Sequence, residues 1–332
     1  MNLYWPVYKT IEKEVISLSG IIHFSDDQLQ VYSSYIADLI VRCAVEIESI
    51  SKAMYHQLGG LDPEDRELYF DTDCLKLLND SWKLDKKIIT ITAPSMYFHE
   101  KKLRPLNKSG KRGSSGAKWK RAYQALKHDR YDSLKQGNVE NLLNALSALF
   151  ILNIYYADDN YDAGVIGFGA LNLESQYKSE IFEPTGVSAC NIQFKENADD
   201  SCIVWGKEDD LESAVYIGKY SDEDFKEHHY DWCVSNKWTH KRFEDNEKIR
   251  SYVEKHPYAR ELDVREVCFA AGGENLWREI AVGASGFAYS KIQVKLNKGG
   301  RVYPSISKPD DNELEAEIAK RLSDIIRFKY IL

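Results

Sequence analysis

The segment NVENLLNALSALFILNIYYA, residues 138–157, constrains the fold more than any other part of the chain. Its apolar residues cover several faces of a helix rather than one stripe, and Asn138 is a favoured residue for capping the helix start. Such a helix must be surrounded by other elements of the same protein. Its most apolar stretch, residues 145–156, contains Asn153 and is shorter than the ~18 residues that a membrane span needs. The sequence therefore predicts a helical bundle around this central helix.

Other helical patterns precede the central helix. Apolar residues recur at three- and four-residue intervals over residues 26–57, behind a capping-box start at Ser25. Further helices are predicted over residues 62–82 and 118–131. Between them lie an extended IITITAPSMYF stretch and a flexible Gly/Ser-rich loop over residues 107–117. With the central helix, these segments predict an all-α, up-and-down bundle of four or five helices over residues 1–157.

The remaining chain, residues 158–332, has a different pattern, in which short strands alternate with helices. The turn-rich Asp158–Asp162 run marks the predicted domain boundary. Strands are predicted at residues 165–173, 187–194, 203–205 and 288–296, and helices at residues 222–232, 247–255, 274–282 and after Pro309-Asp310. The predicted fold class is therefore α+β overall, with the bundle followed by a mixed α+β domain.

Charge is divided unevenly along the chain. Residues 1–157 hold 21 Lys/Arg against 19 Asp/Glu, and residues 158–332 hold 23 against 33, so the parts carry +2 and -10 and sum to -8. Residues 101–121 hold nine Lys/Arg and no Asp or Glu. A polyanion is the simplest partner for such a segment, because each neutralised phosphate releases condensed counterions. The loop over residues 101–117 and the helix after it are thus the predicted functional site.

The side chains expected to contact the polyanion are the cations of this segment and one tryptophan. Trp119 could either stack on a nucleic-acid base or pack in the core. The predicted contacts are Lys101, Lys102, Arg104, Lys108, Lys111, Arg112, Lys118, Trp119, Lys120 and Lys127.

Two Arg–His pairs have a spacing that could support phosphate chemistry. Arg121 and His128 are seven residues apart, so a helix places them on nearly the same face, whereas Arg250 and His256 are six residues apart and do not share a face. The second pair also precedes Pro257, where its helix must end. A histidine can act as acid or base near neutral pH, and an arginine can stabilise charge developing on phosphate oxygens. The first pair is therefore the candidate.

The sequence WKRAYQALKHDRY, residues 119–131, together with the Leu/Ala-rich helix from Asn138, resembles the HEPN family, which includes RNA-cleaving toxins and anti-phage effectors. The resemblance covers about residues 1–157, with the basic loop as an insertion before the motif. It implies a homodimeric ribonuclease in a toxin or anti-phage defence role. Such an enzyme needs no metal, because the RNA 2′-hydroxyl attacks the adjacent phosphate and leaves a 2′,3′-cyclic end.

The same resemblance assigns roles to four residues of this chain. Arg121 and His128 would be catalytic. Glu46 and Glu48 lie on the earlier helix, where many members keep a polar residue facing this pair, and Glu46 would orient one of the two. Ala122 stands where active members often have Asn, Asp or His, so Arg130 is the substitute for Arg121.

Two alternatives to this ribonuclease remain open from the sequence. One is a non-catalytic RNA- or protein-binding module that is regulated by its C-terminal domain. That domain would be the place where a regulatory protein partner binds. The other is a metal-dependent nuclease in the acidic half. Neither a cofactor nor a metal is expected for the ribonuclease or for the non-catalytic module. The cluster of His228, His229, Asp231, Cys233 and His240 matches no structural zinc spacing.

The same sequence predicts a cytoplasmic protein without a membrane anchor. Its six cysteines are far apart and form no CxxC pair, which favours reduced thiols. The N-terminus has no basic region followed by an apolar one, as a secretory signal would.

Overall fold

The computed structural model describes residues 2–165, 177–196, 201–203 and 208–329. Within these ranges the protein is α+β, as predicted, with helices predominating. The helices of the first half are α1 (Tyr4–Ser19), α2 (Ser34–Gln57), α3 (Lys76–Trp82), α4 (Lys118–His128), α5 (Arg130–Ser133) and α6 (Val139–Ala157). Those of the second half are α7 (Glu208–Ser213), α8 (Asp222–Asp245), α9 (Glu247–Lys255), α10 (Val264–Ile280) and α11 (Asp311–Lys329).

Strands are short throughout the described chain. In the first half they are β1 (Phe24–Ser25), β2 (Ile89–Ile91), β3 (Met96–Tyr97) and β4 (Lys102–Leu103). In the second half they are β5 (Tyr161–Val165), β6 (Phe182–Pro184), β7 (Gly186–Ser188), β8 (Phe194–Glu196), β9 (Ser201–Ile203), β10 (Tyr216–Tyr220) and β11 (Lys291–Leu296). Because β1 to β4 are present, the prediction of an all-α first half is wrong.

The central helix α6 is buried on all its faces, which confirms its predicted place in the core. Asn138 caps it, since its side-chain oxygen accepts a hydrogen bond from the backbone N–H of Asn141 at 3.0 Å. α1, α2 and α4 pack against it. Asn153, the polar residue within the apolar stretch, donates to the carbonyl of Leu149 at 2.9 Å, so its amide hydrogen is satisfied inside the helix. No described helix is long and apolar enough to cross a bilayer.

The start of α2 differs from the prediction. Ser33, not Ser25, caps this helix, and its hydroxyl accepts a hydrogen bond from the N–H of Ile36 at 3.1 Å. Asp26 lies in a single 3₁₀ turn, and its carboxylate accepts hydrogen bonds from the backbone and ring of His99. The Asp26 side chain, which the capping pattern placed at the start of the helix, thus bonds instead to His99, a residue 73 positions away in the sequence.

The helix predicted over residues 62–82 begins later than predicted, at Phe70, and reaches its predicted end at Trp82. Residues 61–69 form no helix, residues 70–75 form a wide π-helical turn, and only α3 is α-helical. The Asp73 carboxylate accepts a hydrogen bond from the N–H of Tyr69 at 2.8 Å and pairs with Arg66 at 2.7 Å. These bonds start the helical region at Tyr69 rather than at the Asp-Pro pair.

The helix predicted over residues 118–131 is divided into α4 and α5. Asp129 leaves the helical conformation between them, and its side chain accepts a hydrogen bond from the N–H of Asp132 at 3.2 Å. The break makes His128 the last residue of α4.

One sheet connects the halves of the chain, and a larger sheet lies within the second half. β2 pairs antiparallel with β4 on one side and with β6 on the other, so one strand from beyond residue 157 completes a sheet of the first half. The larger sheet has the order β5-β11-β10-β7, in which only β10 and β7 are parallel. Phe182, Tyr216 and Val294 join the same apolar core as α6. The boundary at residue 157 stays a prediction, because this core continues across it.

The second half contains most of the predicted elements, with different ends. α9 has the predicted bounds, α8 continues past the predicted end to Asp245, and α10 begins earlier, at Val264, with a break at Gly273. β7, β8 and β11 fall within or overlap the predicted strands. The strand predicted at residues 165–173 lies outside the described residues except for Val165.

Lys87 is a buried cation where the two halves meet. Its side-chain ammonium donates to the carbonyl of Glu212 at 3.0 Å. Beside it, the N–H of Ile88 donates to the carbonyl of Ser213 at 3.0 Å. Burial lowers the pKa of Lys87 to about 7, because the charged ammonium loses its hydration.

We predict that Lys87→Met removes a pH dependence of stability. Unfolding returns the lysine to a pKa near ~10.4, so between about pH 7 and pH 10 the unfolded chain binds more protons than the folded one. The free energy of unfolding of the parent should therefore rise with pH across this window, by at most ~1.4 kcal/mol per pH unit, relative to that of the variant. Urea unfolding across the window measures this difference. The control is Lys86→Met, at the exposed neighbouring residue. Its free energy of unfolding should change with pH as that of the parent does.

Candidate functional site

A groove of about 590 Å³ opens beside α4. α4 lines it with Lys120, Arg121, Gln124 and Lys127. This arrangement follows from the amphipathic pattern of the helix, whose other face is buried in the bundle core. The residues of that buried face are Trp119, Ala122, Tyr123 and Leu126.

The rest of the groove comes from three other segments. α2 contributes Glu48 and Lys52, and Arg112 comes from the basic loop. The chain before α3, residues 67–71, contributes both carboxylates and aromatic rings. Only the cations from the loop and α4 were predicted as site residues. The acidic and aromatic side chains of residues 67–71 were missed because residues 62–82 read as a separate amphipathic helix, with nothing to bring them near the basic segment.

Asp71 holds two cations of the predicted site. Its Oδ2 accepts from the Lys120 ammonium at 3.0 Å, and its Oδ1 accepts from Nε of Arg112 at 3.1 Å. Burial raises the pKa of Asp71, but the hydrogen bonds from Lys120 and Arg112 outweigh it, so the pKa lies below its usual value. Asp71 is therefore a carboxylate at neutral pH and anchors both cations.

Lys120 was predicted to contact RNA, but its ammonium is buried and fully used. Besides Asp71, it donates to the carbonyl of Ser109 at 3.2 Å and to the carbonyl of Lys111. An ammonium has three donors, and all three have acceptors. Lys120 therefore holds the basic loop against α4 and has no hydrogen left for a phosphate.

Trp119 belongs to the core. Its side chain is 1% exposed, and its indole N–H donates to the carbonyl of Pro105 at 2.7 Å. Of the two interpretations of this residue, packing is correct and base stacking is not.

The basic loop is attached to the bundle at several points. Leu106 and Ser109 are buried, and the Ser109 hydroxyl accepts a hydrogen bond from the Asn79 amide at 3.2 Å. Gly110 lies so close to the backbone of Lys76 that an added Cβ would stand 3.0 Å from its Cα. These contacts define a conformation for a segment that the composition predicted to be flexible.

Arg112 stacks on an aromatic ring at the groove. Its guanidinium carbon lies 3.5 Å from the centroid of the Tyr69 ring, which is a close cation–π contact. The Asp71 carboxylate accepts a hydrogen bond from Nε at the edge of the guanidinium, yet the Arg112 side chain remains 47% exposed. Arg112 is thus a positioned cation that still faces solvent.

Arg121 and Lys127 carry the unpaired positive charge of the groove. A side-chain N–H of Arg121 donates to the carbonyl of Ser114 at 2.7 Å, and the Lys127 ammonium lies 5.6 Å from the Tyr123 ring centroid. Neither forms an ion pair with any carboxylate among the residues that the structure describes. Both side chains are exposed and can bind an anion.

His128 is exposed at the end of α4, just outside the groove lining. Seven residues at ~1.5 Å each separate it from Arg121 by about 10 Å along the helix. Glu46, expected to orient this pair, is half-buried and forms no hydrogen bond with either residue. Glu48 lines the groove instead. Two residues correspond to ~200° around a helix, so the two glutamates point to different sides.

The other predicted cations are distributed around the site. Arg130 pairs with Asp38 of α2 at 2.6 Å, and Lys118 pairs with Glu140 at 2.9 Å. Neither residue lines the groove. The remaining cations of the basic segment are exposed and outside the lining; they are Lys101, Lys102, Arg104, Lys108 and Lys111.

No metal centre is assembled in the described part of the chain, where no group of three or more His, Cys, Asp or Glu is suitably placed. In the cluster of α8, Nε2 of His229 lies 3.7 Å from the Cys233 sulfur, and both side chains are buried. The Asp231 carboxylate pairs with Arg321 at 2.6 Å. These contacts explain the cluster as packing.

No family model, no curated protein and no solved structure matches the chain. The chemistry of the groove and the motif of α4 are therefore what bear on function.

We predict that Asp71→Asn destabilises the protein by about 3 kcal/mol, because it leaves the buried Lys120 ammonium without its counter-charge. Urea unfolding gives the free energy. The control is Asp80→Asn, which removes an exposed pair with Lys76 at 2.6 Å on α3. An exposed helix pair contributes only about 0.3–0.5 kcal/mol, so this variant should be nearly as stable as the parent. Similar losses from both variants would contradict the role given to Asp71.

Proposed function

We propose that this protein is an RNA-binding ribonuclease of HEPN type, which holds single-stranded RNA at the groove and cleaves it without a metal ion. The observation that supports this proposal most is that one helix, α4, carries both cations available to an anion and an exposed imidazole. Arg121 and Lys127 line the groove without carboxylate partners among the described residues, and exposed His128 follows on α4.

The charge of the groove supports an anionic ligand. Five cations and three carboxylates line it, a net of +2 in a chain of -8. Asp71 is already neutralised by Lys120 and Arg112, and Glu48 pairs with Lys52 at 3.0 Å. Among the described residues, Arg121 and Lys127 of α4 are the lining cations without an ion pair, and Glu67 is the lining carboxylate without one. A local positive field in an acidic protein attracts phosphates.

The residue types on α4 suit transesterification. In the proposed reaction the 2′-hydroxyl oxygen attacks the adjacent phosphorus while the bond to the 5′-oxygen breaks. His128 would take the hydroxyl proton, water would supply a proton to the leaving 5′-oxygen, and Arg121 would donate hydrogen bonds to the charge building on the phosphate. No metal is needed for this sequence of bond changes.

The proposal includes the assembly and the role that the HEPN resemblance implies. A homodimer would bring a second Arg121 and His128 to the same RNA. The protein would act in a toxin or anti-phage defence role, and its second half would dock a regulatory partner.

We predict that the protein, incubated with RNA in EDTA, leaves 2′,3′-cyclic phosphate ends. His128→Ala should slow cleavage by at least about 100-fold, because general acid–base catalysis contributes this much or more. Arg121→Ala should slow it comparably through lost charge stabilisation. Gel electrophoresis and mass spectrometry of the fragments measure rate and end group.

The second Arg–His pair of the chain supplies a matched control. Arg250 donates to the carbonyls of Glu244 and Asp245, and His256 follows α9, so this pair lies outside the groove. The double variant Arg250→Ala, His256→Ala should cleave at the parent rate. Cleavage that survives loss of Arg121 and His128 together would show that other residues catalyse.

Binding without cleavage is the second candidate. It is favoured by the position of His128 beyond the groove lining, and by the absence of a hydrogen bond from Glu46 to this imidazole in the described structure. In this case the RNA affinity would be the same with His128→Ala, and no cyclic ends would form.

Both candidates share a salt dependence that tests the phosphate contacts. For single strands the logarithm of the binding constant should fall with the logarithm of salt concentration by ~0.7 per neutralised phosphate. Arg121→Ala and Lys127→Ala should each reduce the steepness of this dependence by about that amount, whereas Lys241→Ala, an exposed lysine of α8, should not change it. Fluorescence anisotropy of labelled RNA across a salt series measures the slope.

A further inference from the structure

We infer that the groove contains a base-binding subsite that selects an unpaired guanine, with Arg112 as the stacking surface and Glu48 and Glu67 as the groups that read the base. This inference rests on the proposed RNA binding and adds the identity of the base. It does not depend on whether RNA is cleaved.

The stacking surface is the Arg112 guanidinium. One of its faces lies 3.5 Å from the Tyr69 ring centroid, and Asp71 fixes its plane through Nε. The side chain is still 47% exposed and lines the groove, so its remaining surface is open to a ligand. Arg guanidinium planes are established stacking partners for splayed-out RNA bases. A base paired in a duplex cannot reach such a surface, and therefore the subsite requires single-stranded RNA.

The groups beside this surface are hydrogen-bond acceptors. Three carboxylates line the groove, but both oxygens of Asp71 are occupied, by Arg112 and Lys120. Glu67 is exposed and forms no ion pair among the described residues. Glu48 has a single partner, Lys52, and its side chain is 32% exposed. Two residues that line the groove, Glu48 and Glu67, therefore have carboxylate lone pairs available for a donor.

Guanine matches these acceptors better than the other bases do. Its Watson–Crick edge presents N1–H and N2–H₂ side by side, so both oxygens of one carboxylate can accept at once. Adenine and cytosine each place a ring-nitrogen acceptor beside their amino group, and uracil places a carbonyl on each side of its N3–H. With those bases, one carboxylate oxygen would meet a lone pair instead of a donor. A good bidentate contact discriminates against the wrong base by roughly tenfold or more.

Charge and size fit a nucleotide that lies along the groove. The carboxylates of the groove come from α2 and the chain before α3, whereas the unpaired cations Arg121 and Lys127 come from α4. A phosphate at α4 would leave the base free to turn toward Arg112. The volume of about 590 Å³ lies in the range of sites that enclose small molecules.

The four ribonucleoside 3′-monophosphates test the subsite, because each carries a base and a phosphate but no bond that the protein could cleave. Calorimetry with the full-length chain should show guanosine 3′-monophosphate binding about tenfold more tightly than the adenosine, cytidine and uridine compounds. The double variant Glu48→Gln, Glu67→Gln should remove this preference, and the single variants show which carboxylate reads the base. The control Glu64→Gln, an exposed residue of the same segment outside the lining, should keep it.

A second set of variants tests the stacking surface. Arg112→Lys retains the charge but not the plane, and should weaken binding of all four nucleotides by about tenfold, within the range for loss of one base stack. Because Arg112 also pairs with Asp71, the unfolding midpoint of the Arg112→Lys protein is measured alongside its nucleotide affinity. Tyr69→Leu removes the ring that lies against the guanidinium and should likewise weaken binding of all four nucleotides.

The outcomes separate this inference from the proposed function. Equal affinity for all four nucleotides, or a guanine preference that survives the double glutamate variant, would overturn the base-reading role while RNA binding stands. RNA binding with no detectable mononucleotide binding would overturn the subsite. If neither RNA nor nucleotides bind, the proposed function fails and the inference fails with it.

Discussion

The need to bury α6 on every side is the constraint on which the rest of the structure depends. Each buried leucine-sized side chain contributes about 1.5–3 kcal/mol only if neighbours exclude water from it. α1, α2 and α4 provide part of that cover, and Phe182, Tyr216 and Val294 of the second half belong to the same apolar core. The helix that carries Arg121 and His128 is therefore held against the centre of the protein.

One buried ion cluster then gives the groove its form. Asp71 pairs with Lys120 at 3.0 Å and Arg112 at 3.1 Å, so a single carboxylate connects the chain before α3 to α4 and to the basic loop. Burying a charged lysine is costly unless a counter-charge and further acceptors compensate. Here the carboxylate and two loop carbonyls do so, while Arg121 and Lys127 remain exposed. The segment thus uses some cations for structure and leaves others for a ligand.

Three differences between predicted and observed helices of the first half have a common cause. Asp26, Asp73 and Asp129 all lie in runs that read as helix starts or interiors, and each carboxylate instead accepts a backbone N–H that interrupts or relocates the helix. Short acidic side chains compete well for backbone donors, and periodicity does not show which donor will be nearby. The same limitation hid Tyr69 and Asp71, whose partners are about 40 residues or more away along the chain.

The sequence by itself determined the central helix with its Asn138 cap, the α+β class and the basic segment, because these follow from local periodicity and composition. Only the tertiary structure decided which lysines are free. Lys120 and Lys127 share one helix, yet Lys120 is buried against Asp71 while Lys127 faces the groove. It also decided that Glu48 rather than Glu46 faces α4's cations. Those outcomes depend on which distant segments pack together, and a carboxylate's partner is chosen by packing rather than by its neighbours in sequence.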